Sequence, residues 1–151
     1  MSRSWLVRHA EAGYRQAWTQ PDELRPLTPQ GWQQADALAW LLAEAPFDRL
    51  VSSPYVRCVQ TLEPLATLRG MTVETSAALA ERAGGQGAVS LLVEGAVVAC
   101  THGDVVEAAL DLLAAAGVEL PDRPRETPKG AMWVFDVVDG SLGGAGYWPP
   151  A

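Results

Sequence analysis

The chain has little of what most catalytic and binding machinery is built from: two histidines, two cysteines and one lysine, Lys129, in 151 residues. Cys58 and Cys100 make no C-x-x-C pair and each stands inside an apolar segment, so two structural thiols are expected. Cys100 also fails as a thiol-phosphatase nucleophile, because a C-x5-R loop needs arginine at 106 and that position is Val106. Basic charge is scarce. A formal net charge of −7 lacks the cationic footprint that nucleic acid or an anionic membrane surface demands, so neither is an expected partner. No stretch approaches the roughly 18 apolar residues of a membrane span. No long apolar segment follows the first charges either, which leads to the expectation of a cytoplasmic protein. Repeats and low-complexity tracts are missing, and 48% hydrophobic content is expected to close one core as a single domain, residues 1–151.

What is present alternates regularly. Short apolar runs over 5–7, 48–52, 71–74, 96–101 and 132–138 read as strands, the last followed by a turn at Asp139-Gly140. Thr28 offers an N-cap with Pro29 at the first helical position, and Trp32, Ala35, Leu38, Ala39 and Leu42 recur at helical spacing to about Ala45. Ser53-Pro54 repeats the cap-then-proline start for a helix to about Arg69, where Gly70 stops it. Residues 89–93 and 104–116 supply two more helices. Gly84, Gly85 and Gly87 mark a flexible loop, which lacks the Walker Lys-Ser/Thr and is not expected to cradle phosphate. Strands alternating with helices predict an α/β fold of three layers, α/β/α, around a mostly parallel sheet. The long loop 13–26 carries Tyr14, Arg15, Trp18 and Arg25 and reads as a binding loop, whereas 121–128 reads as an exposed linker.

The chemistry sits at the ends of those runs. Arg8-His9 closes the first, and His102 follows the run Val97-Val98-Ala99-Cys100-Thr101. Ligands of an open α/β sheet collect outside the carboxyl ends of its strands, so both imidazoles stand where a site is expected. Arg57 lies about one turn into the helix after Ser53-Pro54. Two imidazoles and two guanidiniums suit a dianionic phosphoryl group, which arginine grips in bidentate fashion.

Four motifs in order carry a resemblance: Arg8-His9-Ala10, Leu27-Thr28-x-x-Gly31-x-x-Gln34-Ala35, Ser52-Ser53-Pro54-x-x-Arg57-x-x-Gln60-Thr61 and Thr101-His102-Gly103. Together they resemble the signatures of the histidine phosphatase (phosphoglycerate mutase-like) superfamily, over about 4–138, with Ala10 where the family more often has glycine. Arg25-Pro26-Leu27, Ser53-Pro54-Tyr55-Val56-Arg57-Cys58 and Pro128-Lys129-Gly130 further resemble the phosphatase domain fused to some Nudix hydrolases, and less closely the SixA-type phosphohistidine phosphatases. The resemblance implies a phosphoglycerate mutase-like fold and a metal-independent phosphomonoester hydrolase without a cofactor. His9 would be the nucleophile, forming a phosphohistidine that water then cleaves, while Arg8, Arg57 and His102 surround the phosphoryl oxygens.

The proton donor is less determined. Leu79-Ala80-Glu81 resembles the family segment whose glutamate protonates the leaving oxygen, although the glycine-rich continuation departs from the pattern, and Asp104 stays open as a rival. Glu11 and Glu107 are expected to be solvated or hydrogen-bonding groups near the pocket. The short span between Glu81 and His102 leaves little room for a lid, which favours a phosphatase over a mutase. Substrates divide into small phosphoesters, nucleotides included, and a protein phosphohistidine. Walls of Tyr14, Arg15 and Trp18 would suit a small aromatic ligand. A non-catalytic phosphate-binding module is the remaining alternative, and the presence of His9 argues against it.

Overall fold

The computed structural model describes residues 2–151. Its centre is one sheet of six strands: β1 (Ser2–Arg8), β2 (Arg49–Ser52), β3 (Val73–Thr75), β4 (Val97–Thr101), β5 (Met132–Val138) and β6 (Ser141–Trp148). They lie in the order β3-β2-β4-β1-β5-β6. The first four in that order are parallel to one another, and β5 runs against both β1 and β6. Helices α1 (Pro29–Leu41) and α2 (Val56–Arg69) cover one face, and α3 (Gln86–Leu92) and α4 (Gly103–Ala115) cover the other. The three-layer α/β/α arrangement is therefore the expected one.

Side-chain alternation along β1 feeds both layers. Trp5 and Val7 join Leu50, Val98 and Cys100 against Leu38, Leu62 and Leu65 of α1 and α2. Leu6 points the other way, with Ala99, Trp133 and Phe135, onto Leu92, Val106 and Leu110. A strand buried on both faces reads as a continuous apolar run, which is why β4 shows no polar alternation. Among the described residues no helix is long and apolar enough to cross a membrane.

Several boundaries differ from the sequence expectation, each for a tertiary reason. Helix α1 starts as expected, with Thr28 Oγ1 accepting from the Gly31 N–H at 3.1 Å, but ends at Leu41. Beyond it the Leu42, Ala43 and Ala45 carbonyls accept from one nitrogen of Arg69, which satisfies them without further helix. The glycine cluster is not a loose loop. A Cβ on Gly85 would overlap the backbone of Ala109 in α4, and one on Gly87 would stand 2.7 Å from the Ala78 methyl, so these glycines let α3 pack closely. Strand β6 escaped the reading because four of its eight residues are glycine or alanine, which hides any alternation. The turn before it, Asp139-Gly140 with φ of 51° and 75°, has the left-handed pair of a tight hairpin. The 121–128 segment is exposed only in part, since Thr127 is buried and its hydroxyl accepts from Trp133 Nε1.

Gly31 shows how the fold braces the loop that follows His9. A Cβ there would overlap the Glu11 carbonyl oxygen and stand 3.1 Å from Leu27 Cβ. Gly31→Ala is expected to cost roughly 1–3 kcal/mol, read as a drop of several degrees in a thermal melt. An unchanged melting temperature would show that α1 slides freely against the Glu11 turn.

Candidate active site

Three strand ends meet at the carboxyl edge of the sheet. Arg8 is in register with Thr101, and Ser52 with Cys100, so the residues that follow, His9, His102 and Ser53, converge. Backbone bonds continue the ladder past the strands: His9 N donates to Thr101 O at 3.0 Å and Ser53 N to Cys100 O at 2.9 Å. The two imidazoles then lie edge to face with ring centres 5.6 Å apart.

His9 is 4% exposed, and its Nδ1 lies 2.8 Å from the Ala10 carbonyl. A carbonyl can only accept, so Nδ1 carries the proton and Nε2 keeps its lone pair. Burial pushes the His9 pKa well below the ordinary imidazole value, and the charges of Arg57, His102 and Arg8 push the same way against the Ala10 hydrogen bond. The ring is neutral at pH 7.

Around it stand the groups expected to hold an oxyanion. Arg8 donates through Nη1 to Thr127 O at 2.6 Å, and Gly103 gives it room, since a Cβ there would stand 2.7 Å from the guanidinium carbon. Arg57 is 1% exposed. His102 Nε2 lies 2.8 Å from Ser53 Oγ, which already accepts from Tyr55 N. Nε2 is thus tied to Ser53, and Nδ1 is the ring nitrogen left without a partner. Serving His102 in this way, Ser53 is not the helix cap expected, and α2 begins at Val56 with no side-chain cap. Among the described residues the buried side-chain polar atoms without a partner are Arg8 Nε, Arg57 Nε and His102 Nδ1. One belongs to each residue assigned to the phosphoryl group, and unsatisfied buried polar atoms are costly unless a partner takes them.

Glu81 reaches the same place from the 3-10 turn Ala77–Leu79. Thr101 Oγ1 donates to Leu79 O at 2.6 Å, and Asp104 Oδ2 accepts from Arg82 N at 2.8 Å while Arg82 sits at φ 69°. The other Asp104 oxygen accepts from its own Val105 N–H at 2.9 Å, so that carboxylate braces main chain on both sides. Glu81 Oε1 instead faces guanidiniums, Arg15 Nη2 at 2.6 Å and Arg57 Nη2 at 3.7 Å. Arg8, His9, Arg57, Glu81 and His102 all line one cavity of about 340 Å³, with Tyr14 and Lys129 at its edge.

Sequence reasoning missed Asp22. Its carbonyl and Oδ2 accept from Arg57 at 2.8 and 3.0 Å, and Oδ1 accepts from Arg25 Nε at 3.0 Å. Burial alone would raise the Asp22 carboxyl, but Arg25 and Arg57 hold it below its usual value. Only its i,i+3 spacing from Arg25, just ahead of the Leu27-Thr28 motif, could have signalled it. Trp18 is displaced from its expected wall: its indole donates to Pro21 O, and it faces a separate groove with Pro26 and Leu27. Other motif residues act as loop ties. Gln34, Gln60 and Thr61 accept from the Glu11, Leu27 and Ala10 N–H groups at 2.9, 2.8 and 3.0 Å. Cys58 and Cys100 are buried free thiols, Glu107 accepts from Thr127 N, and Glu11 from Gly13 N, all as expected.

A family model described as Histidine phosphatase superfamily (branch 1) matches residues 4–90. The chain is 33% identical over 153 residues to an 8-oxo-(d)GTP phosphatase of Mycolicibacterium smegmatis (strain ATCC 700084 / mc(2)155). That match takes in 96% of this chain and 47% of the relative, so the chain spans about half the relative's length. A crystal structure from Agrobacterium tumefaciens named for phosphohistidine phosphatase SixA is 28% identical with a TM-score of 0.71, covering 89% of this chain and 91% of that one. The protein histidine phosphatase SixA complexed with tungstate shares the fold at a TM-score of 0.72 and 18% identity, covering 95% of each chain.

Proposed function

Because the chain belongs to the histidine phosphatase superfamily, we propose that it is a metal-independent phosphatase that hydrolyses a phosphomonoester through a covalent phosphohistidine on His9. One observation carries this reading: a neutral imidazole with Nδ1 tied to a carbonyl stands among three buried, unpartnered nitrogens on Arg8, Arg57 and His102. Nε2 attacks phosphorus in line, the P–O bond breaks, and the leaving oxygen takes a proton from Glu81. Arg8, Arg57 and His102 hold the equatorial oxygens as charge spreads over them. Water then attacks the phosphohistidine, gives its proton to the Glu81 carboxylate, and frees phosphate and the imidazole.

The guanidiniums carry the charge that a metal ion carries in other phosphatases. Among the described residues no cluster of three histidine, cysteine or carboxylate groups could hold such an ion. Turnover is expected to survive dialysis against chelator, measured on a panel of phosphometabolites and a phosphohistidine protein. Loss on dialysis with recovery on adding a divalent ion would overturn the proposal. A small substrate is favoured over a protein by the relative named for a nucleotide, which matches 96% of the chain. The SixA-like reading predicts the converse order in the same panel.

A further inference from the structure

The cations of the cavity differ in what already holds them. Arg25 donates to the Ala12 and Gly13 carbonyls and to Asp22, Arg15 is paired with Glu81 and Asp22, and Arg57 is gripped by Asp22. Lys129 has a weaker tie. Its ion pair with Glu11 spans 3.5 Å, long for a charge-assisted bond, and the same Glu11 oxygen accepts from Gly13 N at 3.1 Å. The backbone beneath it is firmly held: Gly130 N donates to the Arg8 and His9 carbonyls, and Ala131 N to Pro128 O, closing a turn with Gly130 at φ 86°. The chain's one lysine thus rises on a flexible stem from a turn bonded to the nucleophile's own carbonyl.

Two further features bear on what that ammonium would meet. Glu81, the proton donor of the proposed reaction, lines the same cavity, and a phosphate leaving group needs its proton less than an alkoxide does. Tyr14 is 79% exposed and lines the same cavity, offering a ring face to a flat group. We propose that Lys129 forms a second anion subsite, which takes the phosphate adjoining the transferred one, so that the substrate class is a phosphoanhydride of the nucleoside di- or triphosphate kind.

This rests on the phosphohistidine reading, keeps its step on His9, and puts a terminal phosphoanhydride in place of the phosphomonoester as the preferred substrate. His9 Nε2 bonds to the terminal phosphorus, and the bond to the bridging oxygen breaks. That oxygen leaves with its electron pair as part of the shortened nucleotide, its charge met by Lys129. Water then cleaves the phosphohistidine, yielding phosphate and one proton.

The test compares kcat/KM for GDP and for p-nitrophenyl phosphate in the wild type, Lys129→Met and Lys129→Arg. The ratio of GDP to aryl phosphate is expected to fall roughly 10- to 100-fold in Lys129→Met, mostly through KM, and to recover in part in Lys129→Arg. An unchanged ratio, or equal losses on both substrates, would overturn the subsite. A second measurement needs no variant: acylation of Lys129, followed by mass spectrometry, should be slowed far more by GDP than by inorganic phosphate. Equal protection would again overturn it. Retention of GDP turnover in His9→Ala would instead strike the underlying phosphohistidine reading, so the two failures are separable.

Discussion

His9→Ala should lose turnover by roughly 10⁴-fold or more, because in the proposed reaction its imidazole takes the phosphoryl group. Binding of phosphate or tungstate should persist, since the Arg8, Arg57 and His102 nitrogens do not depend on that ring. Quenched-flow trapping with labelled substrate should yield an acid-labile, base-stable phosphoenzyme in the wild type and none in the variant. Full activity in His9→Ala would end the mechanism. The same residue sets a pH signature. Burial and the neighbouring cations hold its pKa down, so the imidazole stays neutral as pH falls below about 6.5, and the His9 limb of kcat lies on the acid side of an ordinary histidine. For stability the sign follows from proton binding: in acid the unfolded chain takes up a proton that the native ring refuses. The His9 contribution is therefore unopposed above about pH 6.5 and turns destabilising as pH falls below it. Denaturant titrations at two pH values should show a smaller acid loss in His9→Ala.

Glu81→Gln should slow phosphoenzyme formation by roughly 10²- to 10⁴-fold on an alkyl phosphate, the usual worth of general acid catalysis. Aryl phosphates and a phosphohistidine peptide should be far less affected, because phenolate and imidazole leave with less help. Glu81 has the geometry for this dependence, with one oxygen in the cavity between Arg15 and Arg57. Asp104 has not. Both its oxygens accept backbone N–H groups, from Arg82 and Val105, so Asp104→Asn should lower rates by misplacing the Glu81 segment, to a similar degree whatever the leaving group. Single-turnover rates on the three substrates decide between them. A uniform loss in Glu81→Gln would make Glu81 a shaping residue, and a selective loss in Asp104→Asn would move the proton to Asp104.

The sequence alone determined the layers and the place of the two histidines, because both rest on short-range pattern. Apolar runs alternating with helical periods specify strands covered on both faces, and Arg8-His9 and Thr101-His102 end two of those runs, so their side chains had to reach the carboxyl edge of the sheet. Arg57 was expected one turn into a helix beginning at the same edge; α2 starts later, at Val56, which makes Arg57 its second residue, still at that edge. What depended on long-range packing was invisible in one dimension. Gly85 and Gly87 look like flexible linker residues until α4 and Ala78 are laid against them, and β6 is too rich in glycine to show alternation until β5 pairs with it. Ser53 reads as a cap by its neighbours in the chain, yet its hydroxyl belongs to a histidine 49 positions away. Asp22 carries no motif at all. Its role exists because loop closure sets one carboxylate among Arg15, Arg25 and Arg57, an arrangement of charges that only the folded chain brings within hydrogen-bonding distance.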